Sequence, residues 1–221
     1  MSYQVSVVKK TDSADRAVRQ AMELLGGMSA FVKPGQSVLL KPNFTGPLSS
    51  DDGAVTSAPV LESIIAQVRE AGASKVDIVE GSGAFHLGTK KIYDILGVTE
   101  LAQRCGVGLY DANELEFRRV KSPDFCFLEY VDVCEAAWQY DVIINIPVIK
   151  THPLTEITVA YKNMNGLLSP VDKRRFHDLN MRKAVVDLTT ALPSYLTIVD
   201  GITAMEGLGP VSYTHLRAPE T

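Results

Sequence analysis

Lysine, asparagine and histidine side chains follow the ends of apolar runs and could together bind a small anion. Lys41 and Asn43 come directly after one run, and Lys150 and His152 come at the end of another. A further polar block, residues 162–166, contains a lysine and two asparagines. Ammonium groups and side-chain amides are donors that bind carboxylates and phosphates. The sequence therefore predicts a site for a small anionic ligand.

Each candidate residue is given a role in this hypothesis. The predicted catalytic residues are Lys150, His152 and Lys162. Of these, His152 is expected to move a proton. The ligand-binding residues are Lys41, Asn43, Ser82, Asn163, Asn165, Asp200 and Glu206. The histidines lack the H-x-x-x-H and H-E-x-x-H spacings of metal ligands, so no metal is assigned.

The central element of the chain is the sequence DVIINIPVIKTH, residues 141–152. A run of valine and isoleucine without polar alternation is typical of a parallel strand that is buried on both faces. Pro147 interrupts the run, so the predicted strand is Val142–Ile146, and the residues from Val148 onward are predicted to form a loop. Ligands of open α/β sheets bind at the carboxyl ends of the strands, which is where this loop begins.

Apolar strands alternate with amphipathic helices along the rest of the chain. This pattern predicts an α/β fold, a mainly parallel sheet with helices on both faces. The predicted core strands are Ser37–Leu40, Lys75–Val79, Val142–Ile146 and Tyr195–Val199. Further predicted strands are Tyr3–Lys9, Gly108–Tyr110, Glu116–Val120 and Phe125–Glu129. One helix is predicted to follow a cap at Asp12 or Ser13, and short helices are predicted over Thr89–Arg104. Further helices are predicted from Pro59, over Val131–Trp138 and over Met181–Leu192. We expect one domain, residues 1–210, cut short at its C-terminal side.

Composition narrows the class of protein. The chain has 221 residues, 46% of them hydrophobic, and a formal net charge of −4. This charge argues against nucleic acid as a partner and gives no basic patch for a membrane surface. Neither a signal peptide nor a membrane-spanning segment is expected. The three cysteines are scattered and form no disulfide framework, which favours a cytoplasmic protein with reduced thiols.

Five blocks of sequence resemble one known family. They are KPNF at 41–44, NIPVIKTH at 145–152, AYKNMNGLLSP at 160–170, DKRRFH at 172–177 and VDGITAMEGLGP at 199–210. In this order they resemble the domain of unknown function 362 family. The resemblance implies a prokaryotic, cytoplasmic protein, and many members carry ferredoxin-like 4Fe-4S motifs after this domain. The loop order is also similar to that of nickel-pincer lactate racemases, an analogy that assigns no residue role.

Two functional hypotheses stay open at this point. The first is an enzyme or small-molecule-binding domain with its site at the carboxyl edge of the sheet. The second is a redox or iron–sulfur-associated scaffold with a redox partner, whose 4Fe-4S cluster lies beyond residue 210. Residues 211–221, VSYTHLRAPET, resemble a translated transposase-type sequencing adapter. We therefore expect a non-native tail that packs on nothing.

Overall fold

A computed structural model describes residues 4–9, 12–83, 88–193 and 196–207, and the backbone of 214–216. The α-helices of these residues are α1 (Ala14–Glu23), α2 (Ala58–Glu70), α3 (Thr89–Ile95), α4 (Val98–Cys105), α5 (Ala160–Asn163), α6 (Pro170–Asp178) and α7 (Met181–Ala191). The strands are β1 (Ser37–Lys41), β2 (Lys75–Glu80), β3 (Gly108–Asp111), β4 (Phe117–Val120), β5 (Val131–Cys134), β6 (Val142–Asn145), β7 (Val148–His152), β8 (Glu156–Thr158), β9 (Leu196–Thr197), β10 (Asp200–Glu206) and β11 (Thr214–Leu216).

A five-stranded parallel sheet forms the centre of the fold, in the order β3-β2-β1-β6-β9. Its two faces belong to different apolar clusters, because successive strand residues point to opposite sides. Val38 and Leu40 of β1 pack in the cluster that contains residues of α1 to α4, and Leu39 packs in the cluster that contains residues of α6 and α7. The predicted α/β fold with a mainly parallel sheet is confirmed.

The strand order reverses between β1 and β6. From β1 the chain adds β2 and then β3 on one side, and it later places β6 and β9 on the other side. Lys41 at the end of β1 is the register partner of Asn145 at the end of β6. Such a switch in strand order leaves a crevice at the carboxyl ends of the two strands, where ligands bind in open α/β sheets.

A second sheet continues directly from the first and corrects the loop prediction for Val148 onward. It has the order β11-β10-β7-β8, and β7 is the strand Val148–His152. Pro147 ends β6 because proline cannot donate a ladder hydrogen bond. After it the chain alternates: Val148 and Lys150 are buried while Ile149 is exposed. The alternation of period two indicates a strand, and it turns Lys150 inward.

Three other local predictions are wrong. Residues 131–138 form β5 and a short 3-10 helix instead of an α-helix, because β5 pairs antiparallel with β4. Residues 125–129 form no strand, since the backbone N–H groups of Cys126, Phe127 and Leu128 donate to the Asp187 carboxylate. Residues 4–9 have no regular structure. In addition, the last parallel strand covers Leu196–Thr197, so it ends before the predicted Ile198 and Val199. Tyr3 and Tyr195, where two predicted strands begin, lie outside the described residues.

The C-terminal tail was expected to contact nothing, and this expectation is wrong for three residues. Thr214–Leu216 pairs antiparallel with Ala204–Glu206 of β10. The remaining residues of 211–221 lie outside the described part, and the adapter origin of the tail stays a prediction. Separately, no helix within the described residues is both long and apolar enough to cross a membrane.

Candidate functional site

A cavity of about 80 Å³ lies at the carboxyl edge of the parallel sheet, beside the switch in strand order. Six of the predicted site residues line it: Asn43, Lys150, His152, Lys162, Asn163 and Asn165. The other lining residues are Thr45, Glu80, Gly81, Gly83, Thr158, Gly166, Lys173 and His177. The site thus gathers residues that are far apart in the sequence, because parallel strands end at the same edge.

The Asn163 amide connects the ends of β1 and β6. Its Nδ2 donates to the Lys41 carbonyl at 3.1 Å and to Asn145 Oδ1 at 2.7 Å. Its Oδ1 accepts from Asn43 Nδ2 at 2.7 Å. This network assigns the orientation of the amide, since only Nδ2 can donate to a carbonyl. A fully satisfied amide of this kind fixes the floor of the cavity.

An ion pair between Lys41 and Glu80 lies buried beneath the cavity. Lys41 Nζ is 2.7 Å from Glu80 Oε2, and the two side chains are 0% and 3% exposed. The carboxylate also accepts the backbone N–H groups of Phe44 and Gly81, at 3.1 and 2.8 Å. Glu80 is thus paired with Lys41, and no carboxylate of the described residues forms an ion pair with Lys150, Lys162 or Lys173, although the charge of Glu80 still acts on Lys150 and Lys173.

Lys150 is held in place by two acceptors. Its Nζ donates to Asn43 Oδ1 at 2.7 Å and to the Ala54 carbonyl at 2.6 Å. Burial, followed by the charge of Lys162, lowers the pKa of Lys150 to about 7. The amine is therefore partly neutral near physiological pH, whereas an exposed lysine is fully charged.

Two further lysines face the same cavity. No hydrogen bond or ion pair joins the Lys162 ammonium to any described residue, and burial lowers its pKa to about 8. Lys173 on α6 donates to the carbonyls of Gly81 and Ser82 and to Asn113 Oδ1. Burial lowers the pKa of Lys173 to about 8 as well, although Glu80 opposes the shift. Together with Lys150, these groups make the cavity electropositive.

His152 is the last residue of β7, directly before the turn to β8, and is neutral at physiological pH. Its Nδ1 accepts the backbone N–H groups of Leu154 and Thr155, at 3.1 and 3.3 Å. The ring proton is therefore assigned to Nε2. Burial, and then the charges of Lys162, His177 and Lys150, lower the pKa of His152 to about 4. In this state Nε2 is a hydrogen-bond donor, and His152 is one of the residues that line the cavity.

Three buried polar atoms of residues that line the cavity have no hydrogen-bond partner within the described part of the chain. They are the side-chain oxygens of Thr45, Thr158 and Asn165. Each buried group that lacks a partner costs about 1–3 kcal/mol. Of the four buried polar side-chain atoms that lack a partner among the described residues, three thus belong to residues that line this one cavity.

Four predicted ligand-binding residues do not line the cavity. Lys41 lies beneath it in the ion pair, and Ser82 lies beside it, where its carbonyl accepts from Lys173. Asp200 accepts from the backbone N–H and the hydroxyl of Ser57, at the start of α2. Glu206 is exposed at the end of β10. Asp200 and Glu206 lie away from the cavity because β9 ends at Thr197 and the chain then enters the second sheet.

Asp200 instead lines a larger cavity of about 480 Å³, together with Asp12 and Asp51. Both oxygens of its carboxylate accept hydrogen bonds, from Ser57 and from the Ile202 N–H. No unpartnered buried side-chain atom of the described residues lies there. Nor do the described residues include a group of three or more His, Cys, Asp or Glu side chains that could hold a metal ion.

Sequence reasoning missed Lys173 and the pairing role of Glu80. A signal for Lys173 was present, because it lies three positions before Phe176 on a helix whose buried residues are Asp172, Lys173 and Phe176. A lysine on the apolar stripe of a helix indicates a buried charge with a specific partner. The signal for Glu80 was its place at the end of β2, directly before Gly81.

A first prediction concerns Gly166, which packs over the buried ion pair. A Cβ at this position would lie 2.7 Å from Lys41 Nζ and in contact with Glu80 Oε1. We expect Gly166→Ala to lower the free energy of unfolding by about 1–3 kcal/mol, measured by chemical denaturation. Gly201→Ala is the control, because the nearest atom to its Cβ would be Ile149 Cγ2 at 4.0 Å. Equal losses in both variants would contradict tight packing at Gly166.

Comparison with known proteins gives the family. Residues 38–219 match the family described as Domain of unknown function (DUF362). The chain belongs to the DUF362 family. The resemblance drawn from the five sequence blocks is thereby confirmed. A thylakoid-associated protein of Synechocystis sp. is 30% identical to this DUF362 chain over 202 residues, which cover 88% of this chain and 60% of that protein.

Two solved structures are similar in fold. A Thermotoga maritima protein superposes with a TM-score of 0.58 at 14% identity, over 90% of this chain and 53% of that one. The lactate racemase apoprotein from Thermoanaerobacterium thermosaccharolyticum superposes with a TM-score of 0.56 at 16% identity, over 88% of this chain and 50% of that one. The DUF362 chain therefore shares the fold of these α/β proteins and spans about half of their length.

Proposed function

We propose that this chain binds a small anion, a carboxylate or another oxyanion, in the lysine-lined cavity at the end of β1 and β6. The observation that carries the proposal is the charge balance of the cavity. Lys150, Lys162 and Lys173 line it, and Glu80, the only carboxylate among its described lining residues, is already paired with Lys41. An anion would supply the missing negative charge and accept from the lysines.

The size of the cavity limits the ligand. About 80 Å³ is small beside the roughly 300–1,000 Å³ of sites for drug-sized molecules. A ligand of a few heavy atoms fits, whereas a nucleotide-sized cofactor does not, so the proposal includes none. One structure of similar fold is named a lactate racemase, and lactate is a carboxylate of suitable size. That likeness concerns the fold, so the residue roles proposed here depend on the cavity alone.

Each part of the cavity would serve a different purpose. Lys162, which lacks an ion-pair partner among the described residues, would contact the anion directly. The hydroxyls of Thr45 and Thr158 would donate to its oxygen atoms, and this would satisfy groups that are otherwise buried without partners. His152 would donate from Nε2. The reactive roles predicted for Lys150, His152 and Lys162 remain proposals.

Calorimetric titration with sulfate and with acetate at low ionic strength tests the proposal. We expect both anions to bind, and Lys162→Met to weaken binding at least tenfold, since a lost charge-assisted hydrogen bond costs about 1.5–3 kcal/mol. Lys91→Met is the matched control, because Lys91 is exposed and does not line the cavity. Equal affinities for Lys162→Met and the control, or no binding by the unaltered protein, would overturn the proposal.

A further inference from the structure

The Lys150 amine has the geometry of a fixed nucleophile. A lysine nitrogen is bonded to Cε and has three other positions, and Lys150 uses two of them to donate to Asn43 Oδ1 and the Ala54 carbonyl. In the neutral amine the remaining position is the lone pair. Because Lys150 also lines the cavity, a bound ligand lies within reach of this nitrogen.

Two conditions that activate a lysine nucleophile are both present. Lys150 is 2% exposed, and the uncompensated ammonium of Lys162 acts on it inside the same cavity. Desolvation and a neighbouring cation favour the neutral, nucleophilic form. The lowered pKa of Lys150, about 7, agrees with this geometry.

The ligand class follows from the arrangement of the two lysines. A nucleophilic amine needs an electrophilic carbon, and a nearby ammonium needs an anionic group. A 2-oxo acid has a carbonyl carbon next to a carboxylate, and its smallest members have only a few heavy atoms. We propose that Lys150 forms an imine with the carbonyl carbon of a small 2-oxo acid whose carboxylate is bound by Lys162; this inference rests on the anion site proposed above.

The reaction balances without an oxidant or a reductant. The Lys150 nitrogen attacks the carbonyl carbon, so a C–N bond forms and the carbonyl oxygen becomes a hydroxyl by taking a proton. The C–O bond then breaks, and the oxygen leaves as water with the two hydrogens that the amine has lost. The proton on the new hydroxyl comes from the Lys150 nitrogen, which becomes cationic and acidic when it attacks. The neutral His152, whose proton is assigned to Nε2 and which lines the cavity, can donate a hydrogen bond to this oxygen during addition.

Trapping by reduction tests the inference on the full chain. The protein is incubated with pyruvate and cyanoborohydride, which reduces an imine to a stable secondary amine, and the modified lysine is located by peptide mass spectrometry. We expect the adduct on Lys150, in at least tenfold excess over the exposed Lys91, and sulfate should suppress it. Lys150→Arg keeps a charge but has no lysine amine, so it should give no adduct in the cavity.

The outcomes separate this inference from the proposed function. If calorimetry shows that pyruvate and sulfate bind but reduction leaves Lys150 unmodified, the imine proposal is overturned and the anion site stands. An adduct on Lys162 or Lys173 in place of Lys150 also overturns it. If neither anion binds and no lysine is selectively trapped, both proposals fail. Circular dichroism of Lys150→Arg verifies that a lost adduct does not reflect unfolding.

Discussion

Replacing Asn163 by leucine is expected to lower the free energy of unfolding by about 3–5 kcal/mol, the largest loss of stability predicted here. Leucine has nearly the same shape as asparagine but neither donates nor accepts. Asn43 Nδ2 and Asn145 Oδ1 would lose their partner at 2.7 Å, and the carbonyl of Lys41 would lose a donor. Each of these groups is buried, so water cannot replace the amide without opening the site.

Chemical denaturation measures this loss, and Asn180 provides the control. Asn180 caps α7 by accepting the Lys183 N–H at 3.3 Å on the surface. Asn180→Leu should therefore cost only about 1 kcal/mol, the usual value of an N-cap. If Asn163→Leu were no worse than Asn180→Leu, the amide would not be the link between β1 and β6 that its hydrogen bonds indicate.

Replacing Lys150 by methionine should change how stability depends on pH. The folded pKa of Lys150 is about 7, and its unfolded value is about 10.4. Between these values the unfolded chain binds more protons, so the free energy of unfolding rises with pH, by up to about 1.4 kcal/mol per unit for one lysine. The cost of burying the charge is fully present below the folded pKa and disappears as the pH rises.

The difference between the pH profiles of Lys150→Met and the unaltered protein isolates the contribution of Lys150 to stability. Between about pH 8 and 10, Lys150→Met should reduce the slope of the free energy of unfolding against pH by about 1 kcal/mol per pH unit. Lys91→Met should leave this slope unchanged. Near neutrality the net change should be smaller, since methionine removes a buried charge but leaves Asn43 Oδ1 and the Ala54 carbonyl without a donor. The variant should also lose sulfate binding. Parallel pH profiles for Lys150→Met and the unaltered protein would contradict the assigned burial.

The sequence predicted the central sheet well, for a physical reason. The apolar runs of β1, β2 and β6 are buried on both faces, so local pattern and tertiary environment agree. It failed where tertiary contacts override the local pattern. Residues 131–134 became a strand because β4 pairs with them, and residues 126–128 became a loop because the Asp187 carboxylate accepts their N–H groups.

The sequence likewise predicted the position of some residues of the candidate site but not of others. Residues at the end of β1 and residues that follow β6 could be placed, because the parallel strands β1 and β6 end at a common edge. Asp200 could not, since two residues after β9 the chain crosses into the second sheet, and its carboxylate contacts Ser57. Lys173 was missed because only the packing of α6 carries it into the cavity. The spacing to Phe176 indicates that Lys173 is buried, but it does not indicate which cavity the side chain lines.

Proton uptake on sulfate binding tests the central claim most directly. Sulfate should stabilise the charged forms of Lys150 and Lys162, whose pKa values are about 7 and about 8, so binding near pH 8 should draw protons onto them. Calorimetry in two buffers of different ionisation enthalpy measures the number of protons taken up for each sulfate bound. We expect uptake of about one proton per sulfate near pH 8, falling toward zero near pH 6. Sulfate binding without proton uptake near pH 8, or no binding at all, would contradict an anion site built from these lysines.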